Sequence, residues 1–144
     1  MTVPQEFTQA SRDFEAVLVD VRDKAMVSTT HRAFTTLEAV LRVFRRRLTA
    51  EQGLAFAGLL NVGLRALFVK DWNINEPVAD FGTMEQMQAE VMALRHNHNL
   101  SPNTAIQDVV AALRSHIDER ALLAFLKSVS PEAMYFWGFK GEVE

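Results

Sequence analysis

The sequence contains no cysteine, and its 144 residues include only four prolines, six glycines and one tyrosine. Without cysteine there are no disulfide scaffolds, no cysteine-ligated zinc or iron–sulfur sites and no thiol nucleophiles. Long hydrophobic runs are also absent, because the longest stretch without a charge, residues 52–64, is shorter than the roughly 20 residues that span a bilayer. The N-terminus has no basic and apolar leader, so we expect a cytoplasmic protein.

The composition is that of an ordinary globular protein. Hydrophobic residues make up 49% of the chain and charged residues 23%, and the net charge is −3. A chain of this length fits one compact domain, and we predict a single domain over residues 1–144. The overall charge does not indicate a nucleic-acid or membrane partner.

Apolar residues recur at steps of three and four along most of the chain, which predicts helices, and no stretch alternates with period two. Thr49, Asp118 and the Ser-Pro pairs at 101–102 and 130–131 are typical helix starts. We predict an all-α fold of about eight helices, near residues 4–25, 30–48, 50–60, 62–71, 84–97, 102–117, 119–128 and 131–138. Residues 72–82 form the connector.

The connector separates two similar halves, about 4–71 and 84–139, which predicts an internal duplication. In the second helix of each half we match Leu41 with Leu113, and later in the chain Phe68 with Trp137. The first helices match at a separation of 73 residues and the second helices at 72. A gap of three residues at the end of the second helix then gives a separation of 69 for the rest of each half. Gly53, Gly58 and Gly63 are predicted at close helix crossings or turns. We expect the two halves to pack as one bundle.

Several segments carry a resemblance to a known family. They are AFTTLEAVLRVFRRRL, AEQGLAFAGLL and NVGLRALFVKDW in the first half, then AIQDVVAALRSHI, ERALLAFLKSV and SPEAMYFWGF in the second. The chain resembles the bacterial domain-of-unknown-function 2267 family over residues 30–139. The resemblance implies two tandem four-helix units in an orthogonal, globin-like bundle. It implies no catalytic residue, cofactor or substrate.

No motif in the sequence indicates a catalytic site. His96 and His98 stand two apart at a predicted helix end, and we keep them as weak metal candidates beside the alternative of a polar last turn. The chain has no HExxH, no G-x-S-x-G and no phosphate-binding glycine loop. We therefore predict no catalytic residue, no metal and no cofactor, and a non-enzymatic protein.

Four arginines, Arg42, Arg45, Arg46 and Arg47, concentrate positive charge, and residues 31–65 carry a net +4. Cations at a helix C-terminus complement the helix dipole, so a solvated helix end is a sufficient explanation. The alternative is a contact with nucleic acid, which usually needs more basic residues and aromatic platforms. We regard nucleic acid as the weakest of the candidate partners.

Aromatic residues crowd the last helix, where Tyr135 and Trp137 belong to four aromatics in five positions, and Trp72 is the first residue of the connector. They cannot all share one helix face, so at least one should pack against the other half, line a pocket or meet a partner. With the four arginines, these three form our candidate interaction surface. We predict a module that works by protein contact, self-association as a homodimer included. The alternative is a bundle that binds a small apolar ligand or cofactor in a closed cavity.

Overall fold

The computed structural model describes residues 2–94 and 103–140, and these residues are helical without any strand. The predicted all-α fold is confirmed. The helices of the described residues are α1 Gln5–Thr8, α2 Ala10–Ala25, α3 Thr30–Arg45, α4 Ala50–Ala57, α5 Val62–Val69, α6 Met84–Leu94, α7 Ala105–Arg114, α8 Glu119–Val129 and α9 Pro131–Phe136.

The described helices number nine rather than eight, because the first predicted helix is broken at Gln9. Gln9 has φ −105° and ψ 13°, which interrupts the helical backbone between α1 and α2. Pro4 precedes α1 as its N-cap instead of opening it. The other boundaries lie within about three residues of the prediction, except that the predicted helix end at residue 97 and helix start at residue 102 lie outside the described residues. His96, His98 and the Ser-Pro pair at 101–102 lie outside the described residues.

Side-chain caps explain where most helices begin. Thr49 caps α4 in a reciprocal capping box with Gln52, and Thr83 repeats the arrangement with Gln86 at the start of α6. Ser130 accepts a hydrogen bond from the Ala133 N–H at 3.0 Å at the start of α9. Asp118 occupies the N-cap position of α8, but its side chain makes no capping hydrogen bond, which corrects the prediction for that residue.

The two halves pack through reciprocal helix pairs. The first helix of the first half, α2, packs on α7, which is the second helix of the other half. In return α6 packs on α3. One continuous apolar core includes residues from both halves, with Phe44 in contact with Phe136 and Trp137 at centroid distances of 5.0 and 5.6 Å. No helix in the described part of the chain is long and apolar enough to cross a membrane.

The pattern of buried residues shows which positions of the two halves correspond. Buried positions in the second helix of each half match at a separation of 69 residues. The pairs are Thr36 with Ala105, Leu37 with Ile106, Val40 with Val109, Leu41 with Val110, Val43 with Ala112, Phe44 with Leu113 and Leu48 with Ile117. Along the second helix this register corrects the predicted one by about one helical turn and removes the gap of three residues. The common origin of the halves stays a prediction, as does the likeness to globins.

Two of the three glycines lie where helices approach closely. A Cβ at Gly63 would lie 2.7 Å from the Cβ of Phe14, and a Cβ at Gly53 would overlap the ring of Trp72. Gly58 ends α4 with an ordinary φ of −65° and has no such neighbour. Gly53 and Gly63 are therefore required by packing, and Gly58 is not.

Candidate functional site

Arg45 is an internal residue rather than part of an exposed basic surface. It is 8% exposed, and its Nη1 donates to the carbonyls of Phe68 and Lys70, both at 2.9 Å. Its guanidinium carbon lies 5.4 Å from the centroid of the Trp72 ring. Burial lowers the pKa of Arg45 below its ordinary value, and the charge of Arg42 acts in the same direction. The guanidinium remains a cation, and it caps the C-terminal end of α5 through its hydrogen bonds to these two carbonyls.

Arg46 and Arg47 join α3 to α6 through one carboxylate. Both Nη atoms of Arg47 donate to Glu90, and Arg46 Nη1 donates to Glu90 Oε1 at 3.3 Å. Arg47 is 5% exposed and also donates to the carbonyl of Val43. The hydrogen bond from Arg47 holds the pKa of Glu90 below its ordinary value, although partial burial acts in the opposite direction.

Arg42 belongs to a small ion-pair network on the surface of the first half. It lies 3.3 Å from Glu38 and 3.8 Å from Asp71, and Lys70 lies 3.6 and 3.4 Å from the same two carboxylates. The four arginines therefore have carbonyl or carboxylate partners within the chain. This corrects the expectation of one basic surface, because Arg45 and Arg47 are buried by tertiary packing.

The aromatic candidates separate into buried and exposed residues. Trp137 is 1% exposed, so it belongs to the core and is not available for an interaction surface. Trp72 is half-buried between Gly53 and Arg45. Tyr135 is 62% exposed, which places it on the surface, as expected from a crowded helix.

Tyr135 lies at an apolar groove between α7 and α9, which we call the α7–α9 groove. Its volume is about 390 Å³. Its lining residues come from the start of α6, one face of α7 and the end of the chain: Met84, Gln107, Val110, Ala111, Arg114, Tyr135, Phe136, Trp137, Gly138, Phe139 and Lys140. Arg114 and Lys140 are the charged members of this set, and both are cations. The groove thus combines apolar walls with positive charge.

The positively charged group best positioned at the groove is Arg114. Its Nη1 donates to the carbonyl of Trp137 at 3.2 Å, and its Nη2 lies 3.1 Å from Glu119. The guanidinium carbon lies 3.9 Å from the centroid of the Phe139 ring, which is cation–π geometry. Arg114 is the counterpart of Arg45 at the 69-residue register, and Trp137 is the counterpart of Phe68.

Arg45 and Arg114 have different surroundings because the chain leaves α9 in a different direction from α5. Gly138 has φ +81°, and the N–H groups of Gly138 and Phe139 donate to the carbonyls of Tyr135 and Met134. This is a Schellman ending, in which glycine adopts the left-handed conformation that other residues avoid. The reversed chain brings the Phe139 ring against Arg114, whereas in the first half the carbonyl of Lys70 meets Arg45.

The corresponding surface of the first half is charged, whereas the groove in the second half is mostly apolar. At the 69-residue register, Glu38, Arg42, Lys70 and Asp71 correspond to Gln107, Ala111, Phe139 and Lys140. The first four form the ion-pair network described above. In the second half two long cationic side chains become alanine and phenylalanine, and both carboxylates are lost. The groove is therefore specific to the second half and is not a general property of the fold.

Sequence reasoning identified Tyr135 and Trp137 but missed the α7 face of the groove. A comparison of the halves in the correct register reveals the exchanged charges, but the predicted register for this helix was displaced by a turn. Within residues 2–94 and 103–140, no group of three or more histidines or carboxylates is arranged to hold a metal ion.

The described residues form an all-α bundle whose α7–α9 groove has mostly apolar walls. The family model for the uncharacterized conserved proteins DUF2267 matches residues 14–133. The chain therefore belongs to the DUF2267 family, as the resemblance suggested. No curated protein shows significant similarity to it.

Proposed function

We propose that this chain is a non-enzymatic module that binds a small apolar ligand in the α7–α9 groove. The observation that carries the proposal is the groove itself, about 390 Å³ with mostly apolar walls. Ligand sites typically measure 300–1,000 Å³, are lined by apolar and aromatic side chains with a few polar groups, and occur between helices of bundles. The site is an open groove rather than the closed cavity expected from the sequence.

The shape of the surface favours a small ligand over a large protein interface. A stable protein–protein interface buries about 800 Å² on each partner. The large exposed apolar residues of the described chain are distributed over the N-terminal segment with α1, the end of α2, α4, α5, the connector, α6 and α9, which suits single surface residues more than one extended patch.

Titration with decan-1-ol tests the proposal. Ala111 is exposed on the α7 face of the groove, so Ala111→Arg places there the residue found at the corresponding position of the first half. We expect Ala111→Arg to weaken decanol binding at least about tenfold, measured by calorimetry and by Trp137 fluorescence. Ala66→Arg is the matched control, since Ala66 is also exposed on a helix but does not line the groove. Equal binding by wild type and Ala111→Arg would remove the groove as the site.

Protein contact is the second candidate, and the exposure of Tyr135 favours it. Tyrosine is enriched at interfaces, and Tyr135 borders the groove while remaining 62% exposed. If two copies associate here, Tyr135→Glu should weaken the dimer in sedimentation experiments, whereas Leu54→Glu on α4 should not. A wild-type chain that stays monomeric at high concentration contradicts the homodimer.

A further inference from the structure

We infer that the ligand of the α7–α9 groove carries one anionic group, such as a carboxylate, joined to an apolar body. This inference rests on the proposed function and specifies the chemistry of the ligand. It follows from a comparison that the molecule itself provides, because the first half contains a complete version of the surface that the second half leaves open.

In the first half, negative charge comes from the chain. Glu38 and Asp71 each pair with Arg42 and Lys70, so two carboxylates balance two cations. These ion pairs cover the surface between α3 and the end of α5. The first half thus needs no external anion there.

In the second half both carboxylates are replaced. Gln107 is neutral and accepts a hydrogen bond from Gln88, and Lys140 reverses the charge of its counterpart Asp71. The described residues that line the groove include no carboxylate, but they include two cations, Arg114 and Lys140. The charged groups that the groove lining presents to a ligand are therefore two cations, which suit an anionic group.

Arg114 has the donors for such an anion. Arginine carries five N–H groups, and its planar fork matches a carboxylate. The described partners of Arg114 are one carbonyl and the exposed carboxylate of Glu119. Arg45, in contrast, directs a single Nη toward two backbone carbonyls and is buried.

The apolar body of the ligand contacts a surface that two other exchanges make apolar. Ala111 replaces the long side chain of Arg42, and Phe139 replaces that of Lys70. Both line the groove beside Val110 and Phe136. A body of aliphatic or aromatic carbon would bury its surface against these side chains, with its anionic end near Lys140 and Arg114.

Decanoate and decan-1-ol separate the two parts of the proposal, because they share a chain length and differ in charge. We expect decanoate, below its micelle concentration, to bind about tenfold more tightly than decanol, since a charge-assisted contact is worth that factor. Lys140→Asp, which introduces the residue of the first half, should abolish the preference for decanoate, measured as the ratio of the decanoate and decanol affinities. Lys140 is exposed, so the variant should fold normally.

Lys127→Asp is the control for the change in net charge, since Lys127 is exposed on α8 and does not line the groove. It should keep the preference for decanoate. Equal affinity for decanoate and decanol would overturn the anionic ligand and leave the groove as an apolar site. Failure of both probes to bind would overturn the anionic ligand together with the proposed function.

Discussion

Asp20 on α2 holds His116 just beyond the end of α7, with 2.6 Å between Oδ2 and Nε2. The second half repeats the relationship in reverse, since Glu90 on α6 holds Arg47 just beyond α3. Asp20 and Glu90 occupy matching positions on the first helices, 70 residues apart, and Arg47 and His116 match at 69. Each half thus contributes a carboxylate to one of these two contacts and a basic side chain to the other. Two polar contacts therefore link the halves.

Because one contact uses arginine and the other histidine, His116→Arg is expected to strengthen the contact with Asp20. Arginine remains charged at all ordinary pH values and can direct two N–H donors to one carboxylate, as Arg47 does to Glu90. The pair is partly exposed, and a gain of about 0.5 kcal/mol in the free energy of unfolding is expected at neutral pH. Chemical denaturation measures it. In an Asp20→Asn background the gain should disappear, and a gain that persists there would contradict the pairing.

Glu90→Gln should destabilise the protein by about 2 kcal/mol, because it removes the charged partner of the buried Arg47. The effect has a defined pH dependence. The pKa of Glu90 is lowered in the folded state, so its contribution is present above the ordinary carboxyl value of 4.5 and is lost as pH falls through the folded-state pKa.

Wild type and Glu90→Gln should therefore differ most at neutral pH and converge only at pH values below the lowered pKa of Glu90. Denaturation curves at several pH values give the comparison. Glu85→Gln is the matched control on the same helix, since Glu85 is exposed. A constant difference between wild type and Glu90→Gln down to strongly acidic pH would show that the Glu90 charge is not responsible.

The glycines give a test of packing that is independent of charge. Gly53→Ala should cost about 2 kcal/mol, because the new methyl group overlaps the ring of Trp72 and forces it to move. Gly58→Ala should be neutral or stabilising by up to about 1 kcal/mol, since its backbone is helical and a Cβ there would make only ordinary van der Waals contacts. Thermal and urea unfolding of both variants would decide. Similar costs for the two would show that the close contact is absent.

Much of the fold follows from local sequence. Helical periodicity and T-x-x-Q capping boxes such as that of Thr49 and Gln52 predict where helices form, because they depend on neighbouring residues only. The register between the halves does not follow, because residues three or four apart share a helix face and a slip of one turn preserves the apolar pattern. Leu41 therefore matches Leu113 in the sequence pattern but Val110 in the structure.

The site was harder to predict than the fold for a related reason. Whether an arginine at a helix end meets water or a distant carbonyl depends on which helix lies beside it, and Arg45 meets Phe68 twenty-three residues away. Ala111 looks unremarkable in a helix until its counterpart is known to be Arg42. The groove is recognised only from the structure, because tertiary packing shows which residues of the two halves correspond.

Met26 provides a test of backbone strain. It ends α2 with φ 57° in the left-handed region and is 88% exposed, so its side chain gains little from the fold. Met26→Gly should raise the free energy of unfolding by about 0.5–1 kcal/mol, because glycine adopts this conformation without steric cost. Met26→Ala is the control, since alanine keeps the Cβ and should bring no gain. Equal stability of all three proteins would mean that the position is not strained.

Gly138 links stability to the shape of the groove. Its φ of +81° allows the chain to reverse after α9 and to bring Phe139 against Arg114. Gly138→Ala should cost about 1–2 kcal/mol, because an L-residue is strained in this conformation. The displaced Phe139 should also weaken the binding of decanol and decanoate together, since it lines the groove for both. Gly138→Asn should recover part of both losses, because asparagine also serves at this helix-ending position. If Gly138→Ala lost stability but bound both probes as wild type does, the aromatic wall formed by Phe139 would not contribute to the site.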